Sequence, residues 1–247
     1  MTVIAHISDL HVSKADFDEE TFLKAVDEIN ELQPDMIILS GDITDHGYYK
    51  EFEEATKYLE MFEQPLFAVP GNHDSRNLGY QTFEELIGEK SWKLTMDDEI
   101  TVIGLDSASP DLSSGHVGSP QHMWLDHQLD ECVINKHFSI VVLHHHVVPI
   151  PQTGRERNVL TDAGDILNTL IRHEVDLVLS GHKHVPNVWK INNTLVANAG
   201  SLSSYKLRGK NKNSYNVYNI TDDEIEIYLN EVGGEKFLLE KCSRNSL

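Results

Sequence analysis

Residues able to bind divalent metal ions recur along this chain in short clusters, and each cluster follows an apolar run. Asp9-Leu10-His11 follows residues 3–7, and Gly41-Asp42-Ile43-Thr44-Asp45 follows residues 35–40. Gly71-Asn72-His73-Asp74 follows residues 66–69, His144-His145-His146 follows 138–143, and Gly181-His182-Lys183-His184 follows 175–179. Imidazole, carboxylate and amide oxygen together suit borderline or hard divalent ions such as Mn, Fe, Zn, Ni or Co. The clusters hold no thiolate, which argues against a cysteine-type structural zinc site. Asp9, His11, Asp42, Asn72, one histidine of the 144–146 run, His182 and His184 offer more donors than one ion takes, so a pair of ions is expected. Two ions roughly 3.5–4 Å apart clamp a phosphoryl group and generate a nucleophile from water at neutral pH.

The elements between the clusters must bring them together. The first half of the chain alternates apolar, strand-like runs with helical patterns. Residues 17–32 place Phe22, Leu23, Val26, Ile29 and Leu32 on one face, and Pro34 is a stop signal. Residues 48–62 form a second helical stretch. Strands that are apolar throughout and separated by helices argue for parallel pairing with both faces covered. Further on, helices are expected over 81–87, 120–133 and 163–173, with strands over 92–96, 100–105, 138–143 and 175–179. The tail reads as short strands at 188–191, 194–197, 215–220 and 224–229, with turns at Asn192-Asn193 and Asp222-Asp223. The expected fold is α/β, a four-layer α-β-β-α sandwich of two mixed sheets packed face to face with helices outside. Ligands of α/β sheets bind in the crevice outside the strand C-termini, where the clusters lie. Gly41, Gly71 and Gly181 stand where the backbone turns sharply off each strand. There is no internal repeat or linker, so residues 1–247 are read as one domain.

Taken in order, Asp-x-His, Gly-Asp-x-x-Asp, Gly-Asn-His-Asp, a late histidine pair and Gly-His-x-His resemble the calcineurin-like metallophosphoesterases. The resemblance covers roughly residues 3–201. It implies one ion held by Asp9, His11, Asp42 and His184. It implies a second held by Asp42, Asn72, His182 and a histidine of the 144–146 run, with Asp42 and a hydroxide shared between them. Many relatives carry His-His-Pro-Pro at the late pair, where this chain has His144-His145-His146-Val147-Val148-Pro149. His144, first after the strand, is the expected ligand, with His145 as the alternative. In the same reading His73 stays outside the cage, where it stabilises developing charge or protonates the leaving alkoxide. Asp74 is expected to orient it. The shared hydroxide is the expected nucleophile. The motif set is similar to the branch of cyclic-nucleotide and glycerophosphodiester phosphodiesterases, so a small phosphodiester is the expected substrate and a phosphomonoester the runner-up. A nuclease of the family and a catalytically dead scaffold with this fold are the remaining alternatives. The filled ligand positions weigh against the scaffold.

Single motifs have ordinary explanations, and some residues keep them. His6 lies inside the first strand and reads as a satisfied core residue. Asp45 reads equally as a cap or as a support for the site. Arg155 and Arg157, in the loop beyond the histidine run, are candidate substrate-binding residues because arginine grips phosphate in a bidentate fork. Lys206, Arg208, Lys210 and Lys212 form a second basic stretch.

The chain carries a formal charge of −20, from 40 acidic and 20 basic residues. A field of that sign repels nucleic-acid backbones and anionic membranes, so neither is an expected partner; the resemblance implies a small phosphorylated substrate. No apolar run approaches the roughly 18–20 residues of a membrane span, and no export signal precedes the first strand. A cytoplasmic location is therefore expected, and Cys132 and Cys242 are read as free thiols. A homodimer is compatible with the sequence.

Overall fold

The computed structural model describes residues 1–97, 99–154 and 157–244. The chain opens with β1 (Thr2–Ile7), α1 (Glu19–Leu32), β2 (Met36–Leu39), α2 (Tyr49–Leu59), β3 (Leu66–Ala68) and α3 (Gly79–Leu86). It continues with β4 (Trp92–Met96), β5 (Ile100–Gly104), α4 (Ser119–Asn135), β6 (Phe138–Val142), α5 (Ala163–Arg172) and β7 (Leu177–Ser180). It closes with β8 (Asn187–Ile191), β9 (Thr194–Asn198), β10 (Ser214–Ile220), β11 (Glu224–Glu231) and β12 (Lys236–Ser243). Local signals set several boundaries. α1 starts after Asp18, whose carboxylate accepts from the Thr21 amide at 3.2 Å. Gln33 ends it in the left-handed region at φ 50°, just before Pro34. Phe17 is thereby left out of the helix and bridges to Ser204.

The strands form two six-stranded mixed sheets, ordered β12-β11-β10-β1-β2-β3 and β4-β5-β6-β7-β9-β8. β1, β2 and β3 run parallel, as do β5, β6, β7 and β9, while the outer members pair antiparallel. Side-chain alternation then sorts the apolar residues into three layers. Met36 and Ile38 of β2, Ile140 and Val142 of β6 and Tyr218 of β10 fill the space between the sheets. Ile37 and Leu39 face α1 and α2 together with Phe22, Ile29, Phe52 and Phe83. Val141 of β6 faces α4 and α5 with Leu125, Leu129, Ile166 and Leu170. Three apolar layers separate four structural ones, so the expected α-β-β-α sandwich is the observed architecture.

The last strand is a departure from the sequence reading. β12 pairs antiparallel with β11 and forms one sheet edge. Its apolar residues do not alternate with polar ones: Phe237 and Leu238 are exposed, and only Leu239 and Cys242 pack on the inter-sheet layer, so no period marks it. The Gly233-Gly234 pair between two β-type runs was its available hairpin signal. Both cysteines are free and buried. Among the described residues, no helix is long and apolar enough to cross a membrane.

Ile38 is fully buried at the centre of the inter-sheet layer. Truncating it to alanine leaves a cavity that neither sheet can close. Ile38→Ala is expected to lower unfolding free energy by about 2–4 kcal/mol with an unchanged urea m-value, read by equilibrium denaturation.

Candidate metal centre

The strand ladder does not stop where the strands do. Beyond β1 and β2 the Asp9 amide donates to Gly41 O at 3.0 Å, His11 to Asp42 O at 3.0 Å and Val12 to Ile43 O at 2.8 Å. The two ligand loops are thus locked in register. On the other sheet the Gly181 amide donates to His144 O at 3.1 Å. Within these loops Asp9, His11, Asp42, His182 and His184 all adopt left-handed backbone, with φ of 55°, 54°, 52°, 70° and 54°. Each such residue carries a backbone strain on the order of 1–3 kcal/mol, which persists only where surrounding structure enforces it. The conformation turns successive side chains off the strand axis and into the crevice. Gly71 admits a close approach: a β-carbon there would lie 2.1 Å from Asp42 Oδ1.

The side chains converge as two groups that share Asp42. In the first, His184 Nε2 lies 3.1 Å from Asp9 Oδ1 and 3.1 Å from His11 Nε2, and His11 Nε2 lies 3.8 Å from Asp42 Oδ2. In the second, His144 Nε2 lies 3.3 Å from Asp42 Oδ2, 3.2 Å from Asn72 Oδ1 and 3.2 Å from His182 Nδ1. The other Asp42 oxygen, Oδ1, accepts from the His73 amide at 2.8 Å, so Oδ2 is the atom the two groups share. The first sheet contributes Asp9, His11, Asp42 and Asn72, and the second contributes His144, His182 and His184. His145 points elsewhere, with its Nδ1 2.9 Å from Ser107 Oγ.

The donor set fits divalent ions. Every ligand histidine is anchored through its outer nitrogen. His11 Nδ1 meets Asp45 Oδ1 at 3.2 Å, His144 Nδ1 meets Ser40 O at 2.7 Å, His182 Nε2 meets Asn158 O at 2.8 Å, and His184 Nδ1 meets Lys206 O at 2.6 Å. Those oxygens only accept, so the outer nitrogens carry the protons. In the neutral rings, the form that can bind a cation, the inner nitrogens present lone pairs to one another at 3.1–3.2 Å. Asp9 Oδ1 is buried with no hydrogen-bond partner among the described residues. A cation in each group resolves both conflicts. Burial opposes charge on Asp9 and Asp42, but His184 beside Asp9 and His144 beside Asp42 hold both carboxyls below the usual range. The same two carboxylates outweigh burial at His144 and raise its pKa to about 9.

His73 lies at the cavity wall, 17% exposed, with a ring nitrogen within 4.8 Å of donor atoms of His11 and Asp42. Its Nδ1 meets Asp45 O at 2.7 Å and Asp45 Oδ1 at 3.0 Å. Burial opposes its charge, yet the Asp42 and Asp45 carboxylates prevail and raise its pKa. The orienting partner is therefore Asp45, not Asp74 as expected from sequence. Both Asp74 oxygens are occupied by Thr44 N at 2.8 Å, Thr44 Oγ1 at 3.0 Å, Ile43 N at 3.1 Å and Gly71 N at 2.8 Å. Asp74 is a buried staple between the loops after β2 and β3. Asp45 also receives Lys206 Nζ at 2.6 Å. Burial works against its charge, and the bonds from His11, His73 and Lys206 overcome it, holding the carboxyl far below its usual range.

A cavity of about 410 Å³ opens over the cage, lined among others by Arg76, Ser113, Asn158, Lys183, Lys206 and Arg208. Arg76 was not singled out in the sequence. Its Nη2 lies 3.2 Å from His73 Nε2, and a cation three residues after His73 in so acidic a chain was the available signal. Of the two arginines proposed for substrate, Arg155 lies outside the described residues. Arg157 is exposed and does not line the cavity, although its carbonyl accepts from Lys183 Nζ at 2.6 Å. The 206–212 stretch divides: Lys206 and Arg208 face the cavity, whereas Lys212 pairs with Glu231 at 2.6 Å.

Comparison with known proteins agrees with this geometry. The family model described as calcineurin-like phosphoesterase matches residues 2–186. A protein of Arcobacter nitrofigilis named "probable glycerophosphodiester phosphodiesterase" is 28% identical over 81% of this chain and 78% of its own. One of Xenorhabdus bovienii named "probable cyclic nucleotide phosphodiesterase" is 25% identical over 84% of this chain and 89% of its own. Among solved structures, a dimetal phosphatase from Danio rerio superposes with a TM-score of 0.72 at 11% identity, covering 96% of this chain and 98% of its own.

Asp42 is the side chain both groups depend on. Asp42→Ala is expected to strip the protein of both ions, read as metal content by mass spectrometry after loading with Mn and dialysis. One ion retained at full occupancy would show that Asp42 is not shared.

Proposed function

The chain belongs to the calcineurin-like phosphoesterase family, and from that premise we propose that it hydrolyses a small phosphodiester at a two-ion centre. It is an enzyme of the hydrolase class. The observation that carries the two-ion reading is the placement of Asp42 Oδ2 between two separate donor groups. Asp9, His11, Asp42 and His184 would hold one ion, and Asp42, Asn72, His144 and His182 the other. Such ions supply Lewis acidity at a phosphoryl oxygen and a nucleophile drawn from water at neutral pH. The histidines and carboxylates suit Mn, Fe, Zn, Ni or Co.

The remaining work falls to the chain's own groups. Asp45 holds His73 by Nδ1 and leaves Nε2 facing the cavity. Against burial and the nearby Arg76 charge, Asp42 and Asp45 raise the His73 pKa, which suits it to carry a proton. Releasing that proton from Nε2 to the departing oxygen requires Arg76, a donor only and 3.2 Å from Nε2, to turn from the ring to the ester. The Arg76 guanidinium stands beside that nitrogen, where it faces the charge of an entering ester. Arg76, Lys183 and Arg208 bring positive charge to the cavity in a chain of net charge −20, which favours an anionic substrate there, while the Lys206 ammonium is paired with Asp45 and Asp16. The relatives named as cyclic-nucleotide and glycerophosphodiester phosphodiesterases support a diester over a monoester.

Two measurements test this reading. Mn-loaded protein is expected to hydrolyse cyclic nucleotides or glycerophosphodiesters faster than nucleoside monophosphates, and to leave single-stranded DNA intact. Preference for the monophosphates would overturn the diester assignment. His73→Ala is expected to keep both ions while turnover of bis-p-nitrophenyl phosphate falls by roughly 10²–10⁴-fold. Loss of metal in that variant would place His73 inside the cage instead.

A further inference from the structure

His6 is a fully buried histidine that the cage and the proposed reaction leave unused. It stands on the inner face of β1, opposite Asn216 of β10, in the layer between the sheets. Two contacts hold its ring: Nδ1 lies 3.1 Å from Tyr218 Oη, and Nε2 lies 2.8 Å from Ser40 Oγ. Ser40 Oγ lies 2.9 Å from Ser8 Oγ, and Ser8 Oγ lies 2.6 Å from Asp9 Oδ2. An unbroken chain of polar contacts thus runs from Tyr218 to the outer oxygen of a cage residue.

The direction of that chain is fixed at one end. The ionised Asp9 carboxylate only accepts, so the Ser8 hydroxyl donates to it. Its other acceptor, the Ser40 carbonyl, is 3.4 Å away and weaker. With its proton committed to Asp9, Ser8 Oγ can only accept from Ser40. Were Ser40 to donate to His6 instead, two oxygens would face each other at 2.9 Å with no proton between them. Ser40 therefore donates to Ser8 and accepts from His6, which must carry its proton on Nε2. His6 Nδ1 is then a bare acceptor for Tyr218. Both ends of that step agree with burial: it drives the His6 pKa down to about 3 despite nearby Asp9, and pushes the Tyr218 phenol well above its usual range. The ring is neutral and the phenol keeps its proton. Asn216 Nδ2 donates in turn to Tyr218 Oη at 3.3 Å.

The consequence falls on Asp9. Its Oδ2 is taken by Ser8 and by the His182 amide at 3.0 Å. Only Oδ1, the buried oxygen without a hydrogen-bond partner, is left for the cage. The approach is close enough that a β-carbon on Gly181 would meet Ser8 Oγ at 1.9 Å. We propose that His6 is a positioning residue of the metal centre, acting through Ser40 and Ser8 to hold Asp9 as a one-oxygen ligand of the ion it shares with His11 and His184. The proposal rests on the two-ion reading of the cage. Hydrogen bonds aligned in one direction polarise one another, so the chain also sets how much charge Asp9 offers that ion.

The test is calorimetric titration of the metal-free full chain with Mn, alongside thermal melting of each variant. In Ser8→Ala and His6→Leu one of the two dissociation constants is expected to weaken by about 10–100-fold, with the other within about two-fold. The double variant is expected to lose no more than Ser8→Ala alone, because both act through one chain. Tyr218→Phe, which removes a single oxygen, should weaken the same constant by less. Nitrogen-15 spectra of the unaltered protein should show His6 protonated on Nε2. Two ions bound with both constants unmoved in Ser8→Ala and His6→Leu overturns the inference alone, as does a His6 proton on Nδ1. A fall in melting temperature with both constants weakened equally marks His6 as a core residue only, and also overturns it. An unaltered protein that binds no Mn overturns the two-ion reading and the inference with it.

Discussion

The structure depends on one placement, the Asp42 carboxylate at the seam between the two sheets. One oxygen is fixed by the His73 amide, so the other has a single direction in which to point. That direction is the space between His11 and His144. A shared ligand must satisfy two groups at once, and the groups come from different sheets. The relative position of the sheets therefore becomes part of the site. The apolar layer between them, built from residues such as Ile38, Ile140 and Val142, is what keeps that position constant. A close-packed layer has little room to slide, and so the cage inherits its rigidity.

Assembling so many donors in one place opposes folding in two ways. Carboxylates and imidazoles are taken out of water, and the backbone is held in left-handed conformations by residues that do not favour them. The compensation is visible in the surrounding hydrogen bonds. Asp74 gathers four donors and ties the loop after β2 to the loop after β3. Its own ionisation is resisted by burial and by Asp42, which push its pKa up to about 6. Asp45 receives His11, His73 and Lys206, and thereby links a cage residue, the candidate proton donor and the loop after β9. These two aspartates sit three and two positions beyond cage residues, at Asp42 and Asn72. Each motif thus carries its ligand and its brace together.

This pairing explains what the sequence could and could not show. The clustered residues are chemically distinctive and follow apolar strands, so residue type and position were enough to pick out Asp9, His11, Asp42, Asn72, His182 and His184 as side chains that converge. The parallel strands were equally legible, because burial on both faces leaves unbroken apolar runs. The division of labour among the aspartates was not. Asp45 and Asp74 have the same side chain at the same kind of position, and which one reaches His73 depends on how the loops fold over each other. Backbone acceptors such as Ser40 O, Asn158 O and Lys206 O leave no trace in residue type at all. β12 was missed for a related reason. Its residues are half-exposed, and periodicity carries information only where one face is buried.

The cage and the rim also differ in how they are built, which bears on what each can determine. Cage residues follow strands whose register is fixed by a continued ladder, and their outer nitrogens are anchored one by one. The cavity wall is made from connections: the turn holding Arg76, the segment at Ser113, Asn158 and the stretch at Lys206 to Arg208. Loops tolerate change that strands do not. The candidate metal donors thus sit on the rigid part of the molecule and the cavity wall on the adaptable part. The two parts meet at His73. It hangs from the Gly71–Asp74 loop beside the cage, yet its Nε2 meets Arg76 at the cavity. A change in the rim can therefore reach His73 without touching the donors of the cage.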